Sequence, residues 1–326
     1  MPSLKPMKTT LTADAIAQAM RERHGRITDW KPLAEGEVSQ AFAFRADGRD
    51  LVVRVGPRRQ GFDKDAWAAR RMPKEAVPVP EVLEIAELDE GVYCCVSERM
   101  GGVHLETLGE PQQRRLTPAV RAVVDAIADV DLPDSEGYGS FDAETENGPH
   151  ETWAGHLRSL LPHDWSGLQT EADTALADEL TAIAVEIAAA LPVTRQLVHG
   201  DLNPRNFTVE GDRVVGVFDW EAAVIGDPTW EIARYLLWAP VLPSTRIQAE
   251  YDLDRLPDEP GIAERVRSLV IVNGLWALDI YRRQGRTDAM ELMLNRVHGF
   301  REDPPGLTEG RDTYWMRLLK PGTRNG

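Results

Sequence analysis

The chain has 326 residues, with 37 Lys and Arg against 53 Asp and Glu, a formal net charge of −16, and only two cysteines, the adjacent Cys94 and Cys95. That balance excludes a strongly basic nucleic-acid binder, whose affinity comes from clustered cations that release phosphate counterions. Neighbouring cysteines cannot staple a disulfide scaffold, and 42% hydrophobic residues with 9 Trp exclude disorder and leave ample core for one large or two-lobed domain.

The charge is unevenly spread. Residues 1–100 hold 16 basic and 16 acidic residues, whereas residues 101–326 hold 21 and 37, so the whole excess lies in the second part. An acidic part behind a neutral part suggests that the first handles an anion and the second a cation, although composition by itself favours plain solubility. The chain opens Met1-Pro2-Ser3-Leu4-Lys5 without an apolar leader, so a soluble, cytoplasmic protein is expected. The most apolar long stretch, residues 174–191, carries Asp178, Glu179 and Glu186 and reads as an amphipathic helix, not a membrane span.

In chain order, Thr12 can cap a helix over Ala13–Arg23. Two β-like runs follow, Val38–Arg45 and Leu51–Val55, joined by Asp47-Gly48, a strong hairpin signal. Lys64–Met72 reads as helix. Val77-Pro78-Val79-Pro80 forces an extended segment, and Val82–Leu88 with Val92–Glu98 forms a second strand pair. Gly101-Gly102 ends the sheet region. The period then becomes helical over Thr117–Val130, Glu151–Leu161, Glu171–Leu191, Trp230–Trp238, Ile262–Arg283 and Thr287–Val297. One β-like interruption stands among these helices: Leu197–His199, Phe207–Val209 and Val214–Phe218, turning at Gly211-Asp212. The pattern predicts an α+β chain with a small sheet lobe over residues 1–98, a hinge at 99–102 and a larger, mostly helical lobe over 103–326. The ligand site is expected between them.

The densest polar cluster lies in the β interruption: His199-Gly200-Asp201-Leu202-Asn203-Pro204-Arg205-Asn206, then Phe218-Asp219-Trp220. A loop that leaves one strand at Asp201 and enters the next at Asn206 brings both side chains to one rim. The returning strand brings Asp219 to the same rim. Two carboxylates and an amide carbonyl are hard oxygen donors of the kind Mg²⁺ takes together with substrate phosphates, and a spare carboxylate can accept a hydrogen bond from an attacking hydroxyl. An ordinary polar turn rarely supplies three such residues between apolar strands.

His-x-Asp-x-x-x-x-Asn followed by a strand and Asp resembles the catalytic and metal loops of protein kinase-like phosphotransferases. The His-Gly-Asp form, with Asp-Trp after the strand, is similar to the aminoglycoside phosphotransferase and choline kinase family. Within it the hygromycin B phosphotransferase subgroup is the nearest likeness. Leu197–Trp220, Gly226-Asp227 and Glu231 carry this resemblance. So do residues 34–42, 61–65 and 78–83, in order along the chain.

The resemblance implies a bilobal protein kinase-like fold and ATP-dependent phosphoryl transfer with two Mg²⁺ ions; GTP as the co-substrate stays open. Asp201 resembles the catalytic aspartate that positions the acceptor hydroxyl, and Asn206 and Asp219 resemble the metal ligands. His199 resembles the motif histidine that organises the loop, and Asp227 a structural aspartate that caps the next helix and braces the loop. Ser39 and Gln40 lie where the family covers the phosphates, without a Gly-x-Gly-x-x-Gly. Arg54 stands in place of the family's strand lysine, where its fork could bind α- and β-phosphates, with Asp65 as candidate partner and Glu75 competing. Glu98, Arg99 and Met100 resemble the linker beside the adenine. Cys94 and Cys95 are expected to pack the sheet. Glu221, Glu231 and Trp238 are candidate acceptor contacts, although Trp238, Trp276 and Tyr281 have the spacing of core residues. The implied partners are a nucleoside triphosphate and a cationic aminocyclitol, with no nucleic acid, no membrane and a monomeric state. A choline or sugar kinase of the same fold, or a nucleotide-binding pseudokinase, remains a rival.

Overall fold

The change of periodicity after residue 102 has a physical counterpart in the computed structural model, which describes residues 11–33, 39–191, 193–256, 259–302 and 319. The chain divides into two units: Met1–Val103 with Asp142–Glu144 and Asn206–Ala222, and His104–Phe141 with Thr145–Arg205 and Ala223–Gly326. Among the described residues no helix is long and apolar enough to cross a membrane.

The first unit begins with the helix Ala13–His24, whose N-cap Thr12 accepts a hydrogen bond from the Ala15 amide at 3.2 Å. Ile16 and Met20, four residues apart, turn one face inward. They meet a five-stranded antiparallel sheet in the order Ile27–Pro32, Gln40–Ala46, Arg49–Gly56, Val92–Glu98, Val82–Asp89. Phe42, Phe44, Val53, Val55, Cys94 and Val96 fill the core between sheet and helix. Asp47 (φ 48°) and Gly48 (φ 78°) form the two-residue turn between strands paired at Ala46 and Arg49, the primed geometry that matches strand twist. Burial pushes the Cys95 thiol up to about 12, which suits packing and not reactivity. Residues 34–38, part of the phosphate-loop expectation, lie outside the described residues.

Two features of this unit differ from the sequence expectation. The strand Ile27–Pro32 has an exposed, bulged pattern that alternation could not reveal. The helix expected over Lys64–Met72 starts at Arg59 and runs to Arg71. Its early glycine is structural: a Cβ on Gly61 would stand 2.9 Å from the Glu221 Cβ, so only glycine lets the helix approach the turn Trp220–Ala222. The strands Phe207–Glu210 and Arg213–Val217 form the hairpin expected around Gly211. The Val217 amide donates to the Pro78 carbonyl at 2.8 Å, tying this hairpin to the proline segment.

The second unit is helical. Ile262–Gln284 is its central helix and packs against Glu171–Ala190, Trp230–Trp238 and Thr287–His298. Its buried Val266, Leu269, Val270 and Leu275 join Leu180, Leu236 and Val297 in one apolar core. The helix Glu110–Ala128 begins seven residues before the expected Thr117. Its first turn is polar and the first side chain it buries is Gln113, so apolar periodicity is silent there. Pro111 near its N-terminus needs no intrahelical donor. Two short strands, Gln196–Val198 and Val224–Gly226, pair antiparallel.

Asp252 on the helix Pro243–Leu253 is 2% exposed, and burial raises its carboxyl to about 7 against the opposing effect of Arg121 and a hydrogen bond from Gln248. The folded state therefore holds this proton more tightly than the unfolded chain. Its stability contribution is full below about pH 4 and is lost as pH rises through about 7. We expect the Tm of Asp252→Asn, relative to the unsubstituted protein, to rise from about pH 5 to about pH 8. A difference that stays flat with pH would contradict this.

Candidate active site

The loop His199–Arg205 belongs to the helical unit, and one face of the helix Trp230–Trp238 holds it. Positions 230, 231, 234 and 235 share that face by helical spacing. Trp230 Nε1 donates to the Gly200 carbonyl at 3.3 Å, and the Tyr235 hydroxyl donates to the Leu202 carbonyl at 2.8 Å. Glu231, 3% exposed, accepts from the Gly200 amide at 2.6 Å and the Leu202 amide at 3.3 Å, while burial raises its carboxyl to about 7. His199 is fully buried and its Nδ1 accepts from the Asp201 amide at 3.3 Å. Asp227 Oδ1 accepts from the Thr229 amide at 2.9 Å and hydroxyl at 2.7 Å, at the head of the same helix. Just before it, a Cβ on Gly226 would fall 2.1 Å from the Trp153 ring.

Asp201 is thereby presented with its carboxylate partly open. Its side chain is 29% exposed; Oδ1 accepts from Arg234 Nη2 at 2.5 Å and Oδ2 from Asn203 Nδ2 at 3.1 Å. Arg205 forms an ion pair with Glu106, Nε to Oε2 at 2.9 Å.

Asn206 and Asp219 lie in the sheet-containing unit. The Phe218 amide donates to the Asn206 carbonyl at 2.8 Å, which sets the two residues at the same end of the hairpin. Asp219 has φ 64°, in the left-handed region that Asp tolerates better than most residues, and its side chain is 46% exposed. Behind it, the helix Arg59–Arg71 grips the following turn twice. Asp65 Oδ1 accepts from the Trp220 amide at 3.0 Å, and Lys64 Nζ donates to the Glu221 carbonyl at 3.1 Å. Arg54, on the central strand, donates through Nη2 to Asp65 and through Nη1 to Asp219 at 3.4 Å. Burial works against the Arg54 charge, but Asp65 and Asp219 more than offset it and hold the guanidinium protonated. Burial pulls the Lys64 ammonium down to about 8, against the pull of Glu221. Burial and then Asp219 raise the Glu221 carboxyl, which faces Arg58 at 3.4 Å.

The remaining expected residues fall as follows. Ser39 is half-buried ahead of the strand Gln40–Ala46, and Gln40 Nε2 donates to the Leu11 carbonyl at 3.4 Å. The amides of Glu98 and Arg99 donate to the carbonyls of Glu81 and Asp50, each at 2.9 Å. Met100 is half-buried, its Cβ 2.9 Å from where a Cβ on Gly216 would lie. Trp238, Trp276 and Tyr281 are partly buried against the helical core. Three residues that sequence reasoning did not single out have prominent posts: Arg234 on Asp201, Lys64 under Glu221, and Tyr235 on Leu202. For Arg234 and Tyr235 a signal existed, because they follow Glu231 by three and four residues in a helix that begins just after the Gly226-Asp227 motif.

Comparison with known proteins identifies the family. Residues 29–264 match the model of the phosphotransferase enzyme family. The chain is 32% identical over 296 residues to hygromycin-B 4-O-kinase of Escherichia coli, covering 87% of this chain and 86% of that protein. A thermostable mutant of aminoglycoside phosphotransferase APH(4)-Ia, solved as a ternary complex with AMP-PNP and hygromycin B, is similar with TM-score 0.82 and 31% identity, over 88% of this chain and 98% of that one. A ternary complex of a related mutant with ADP and hygromycin B gives TM-score 0.83 and 31% identity, over 90% and 99%. The chain therefore has the α+β protein kinase-like fold, with a five-stranded sheet toward the N-terminus and helices toward the C-terminus. On sequence and structure together, the chain belongs to the phosphotransferase enzyme family.

Proposed function

We propose that the chain is an ATP- and Mg²⁺-dependent O-phosphotransferase that phosphorylates a hydroxyl of an aminocyclitol, with hygromycin B as the leading acceptor and antibiotic resistance as the consequence. The observation that carries this reading is Asp201: a partly open carboxylate, fixed at both oxygens, in a chain 32% identical to a hygromycin-B 4-O-kinase. In the reaction the acceptor oxygen attacks the γ-phosphorus, the bond from that phosphorus to the β-bridging oxygen breaks, and ADP leaves with the electron pair. The hydroxyl proton passes toward Asp201, which orients the hydroxyl.

Asn206 and Asp219 are the proposed metal holders. Among the described residues no group of three or more His, Cys, Asp or Glu is arranged to hold a metal. One amide and one exposed carboxylate form the sparse oxygen set that suits Mg²⁺, which keeps waters and phosphate oxygens as its other ligands. When bound, the metal would neutralise charge on the triphosphate. Arg54, buttressed by Asp65, is the proposed phosphate contact, with Ser39 and Gln40 ahead of it and the segment Glu98, Arg99 and Met100 at the base. Because the Glu98 and Arg99 amides are already bonded, that segment would meet the base through other backbone groups. Glu231 and His199 act as supports of the Asp201 loop, leaving Glu221 and Trp238 as the proposed acceptor contacts. The division into residues 1–98, a hinge at 99–102 and residues 103–326 is part of this proposal, as are a monomeric state, a cytoplasmic location and ATP in preference to GTP.

A coupled assay of ADP release over hygromycin B, other aminoglycosides, choline and simple sugars tests the proposal. Turnover with hygromycin B is the expected result. Activity confined to choline or sugars would move the acceptor class, and nucleotide binding without any turnover would favour the pseudokinase.

A further inference from the structure

The two oxygens of the Asp201 carboxylate are held differently. Asn203 is a neutral donor at 3.1 Å, whereas Arg234 places a full positive charge at 2.5 Å. Arg234 is itself stationed from behind. Its Nη1 donates to Asn273 Oδ1 at 3.2 Å, and its guanidinium carbon lies 6.0 Å from the centroid of the Trp276 ring. Asn273 is 1% exposed and its Nδ2 donates to the Leu269 carbonyl at 2.8 Å. The relay runs from the central helix Ile262–Gln284, through the helix Trp230–Trp238, to the catalytic loop. Arg234 is 18% exposed at its side chain, so it is neither a free surface charge nor a sealed core residue.

The pairing changes what Asp201 can recognise. A carboxylate bonded to a guanidinium has little attraction left for a second cation, because the two charges cancel at short range. A carboxylate offers about four acceptor positions, so pairing with two donors does not stop it from accepting from a neutral hydroxyl. This matters for an acceptor rich in ammonium groups. An ammonium–carboxylate hydrogen bond is stronger than a hydroxyl–carboxylate one. A bare Asp201 would therefore capture an amine and hold the hydroxyl away from the reacting phosphorus.

We propose that Arg234 is a positioning and specificity-determining residue, which neutralises Asp201 toward ammonium groups and fixes its carboxylate so that it takes a hydroxyl. This rests on Asp201 as the acceptor-orienting group and adds how that group discriminates. Arg234→Gln removes the charge and keeps a polar side chain. Arg234→Lys keeps the charge and removes the fork.

The test is steady-state kinetics with ATP and hygromycin B, together with calorimetric titration of hygromycin B and of spermidine, a generic polycation, at low salt. For Arg234→Gln the dissociation constants of both cations should fall by about fivefold or more while kcat falls by about 10²-fold, because the tighter complex is misoriented. For Arg234→Lys the dissociation constants should stay within about twofold and kcat should fall by about tenfold. Loss of scaffolding alone would weaken binding or leave it unchanged. Unchanged or weaker cation binding in Arg234→Gln, or an unchanged kcat, overturns the proposal. If Arg234→Gln does not fold, Arg234→Met, which also removes the charge, decides: tighter spermidine binding with reduced kcat supports the role, and unchanged or weaker binding, or an unchanged kcat, overturns it. If the unsubstituted protein phosphorylates no acceptor, the proposed function fails, and the spermidine titration still decides whether Arg234 screens Asp201.

Discussion

Asp201→Asn should bind ATP within about twofold of the unsubstituted protein and lose about 10²–10⁴ in kcat. The asymmetry follows from where Asp201 sits. It belongs to the helical unit and its carboxylate bonds are to Arg234 and Asn203, whereas the proposed phosphate contact Arg54 and metal ligand Asp219 lie in the other unit. Asparagine keeps the shape but presents an NH₂ at one of two positions that now receive donors, so it must turn its oxygen toward Arg234 or Asn203. What remains toward the acceptor cannot take a proton. The loop should stay folded, because Trp230 and Tyr235 donate to its backbone carbonyls and Glu231 accepts from its backbone amides, and these bonds are untouched. Nucleotide titration and single-turnover kinetics separate the two effects. A variant with near-normal kcat would remove Asp201 from the acceptor-orienting role.

Asp65→Ala should destabilise the protein by about 3 kcal/mol, the low end for breaking a buried pair. The loss has two parts. Arg54 is left with the more distant Asp219 carboxylate at 3.4 Å, and the Trp220 amide loses the acceptor that stands at 3.0 Å. A buried donor without an acceptor costs about 1–3 kcal/mol on its own. The double variant Arg54→Met with Asp65→Leu should recover at least about 1 kcal/mol relative to Asp65→Ala, because no uncompensated charge is left inside. The amide part should not be recovered. Chemical denaturation of the two variants measures this. Equal stabilities would show that the ion pair contributes little beyond the Trp220 bond.

Much of this site was legible along the chain because its chemistry is local. Asp201, Asn206 and Asp219 stand at fixed spacing between apolar strands, and the hairpin that carries the last two was readable from Gly211. The turn at Asp47-Gly48 was readable for the same reason, since positive φ restricts residue choice. What escaped reading depends on packing between distant segments. The helix Arg59–Arg71 was expected only from Lys64, and the role of Gly61 in its first turn appears only when Glu221 is beside it. The strand Ile27–Pro32 has no apolar alternation, and the first side chain that Glu110–Ala128 buries is the polar Gln113. Glu231 read as a possible acceptor contact because a carboxylate near a motif suggests a ligand. Its burial and its two backbone bonds make it a support of the loop. Arg234 went unnoticed since a lone arginine within a helix carries no motif, and its meaning comes from Asp201 and Asn273 at its two ends.

The acidic excess beyond residue 100 gains a sharper meaning from these contacts. Asp201 is partly cancelled by Arg234, Asp227 is spent on Thr229, and Glu231 is spent on the loop. On the proposed function, attraction of a cationic acceptor would come from carboxylates other than Asp201.

The most direct measurement is ³¹P NMR of hygromycin B incubated with the protein, Mg²⁺ and ATP. The expected result is a new phosphomonoester signal, coupled to a ring proton of the antibiotic, that grows as ADP appears and forms at least about 10²-fold more slowly with Asp201→Asn. ADP accompanied only by inorganic phosphate, or a phosphomonoester that forms equally well with Asp201→Asn, would contradict transfer to an acceptor hydroxyl oriented by Asp201.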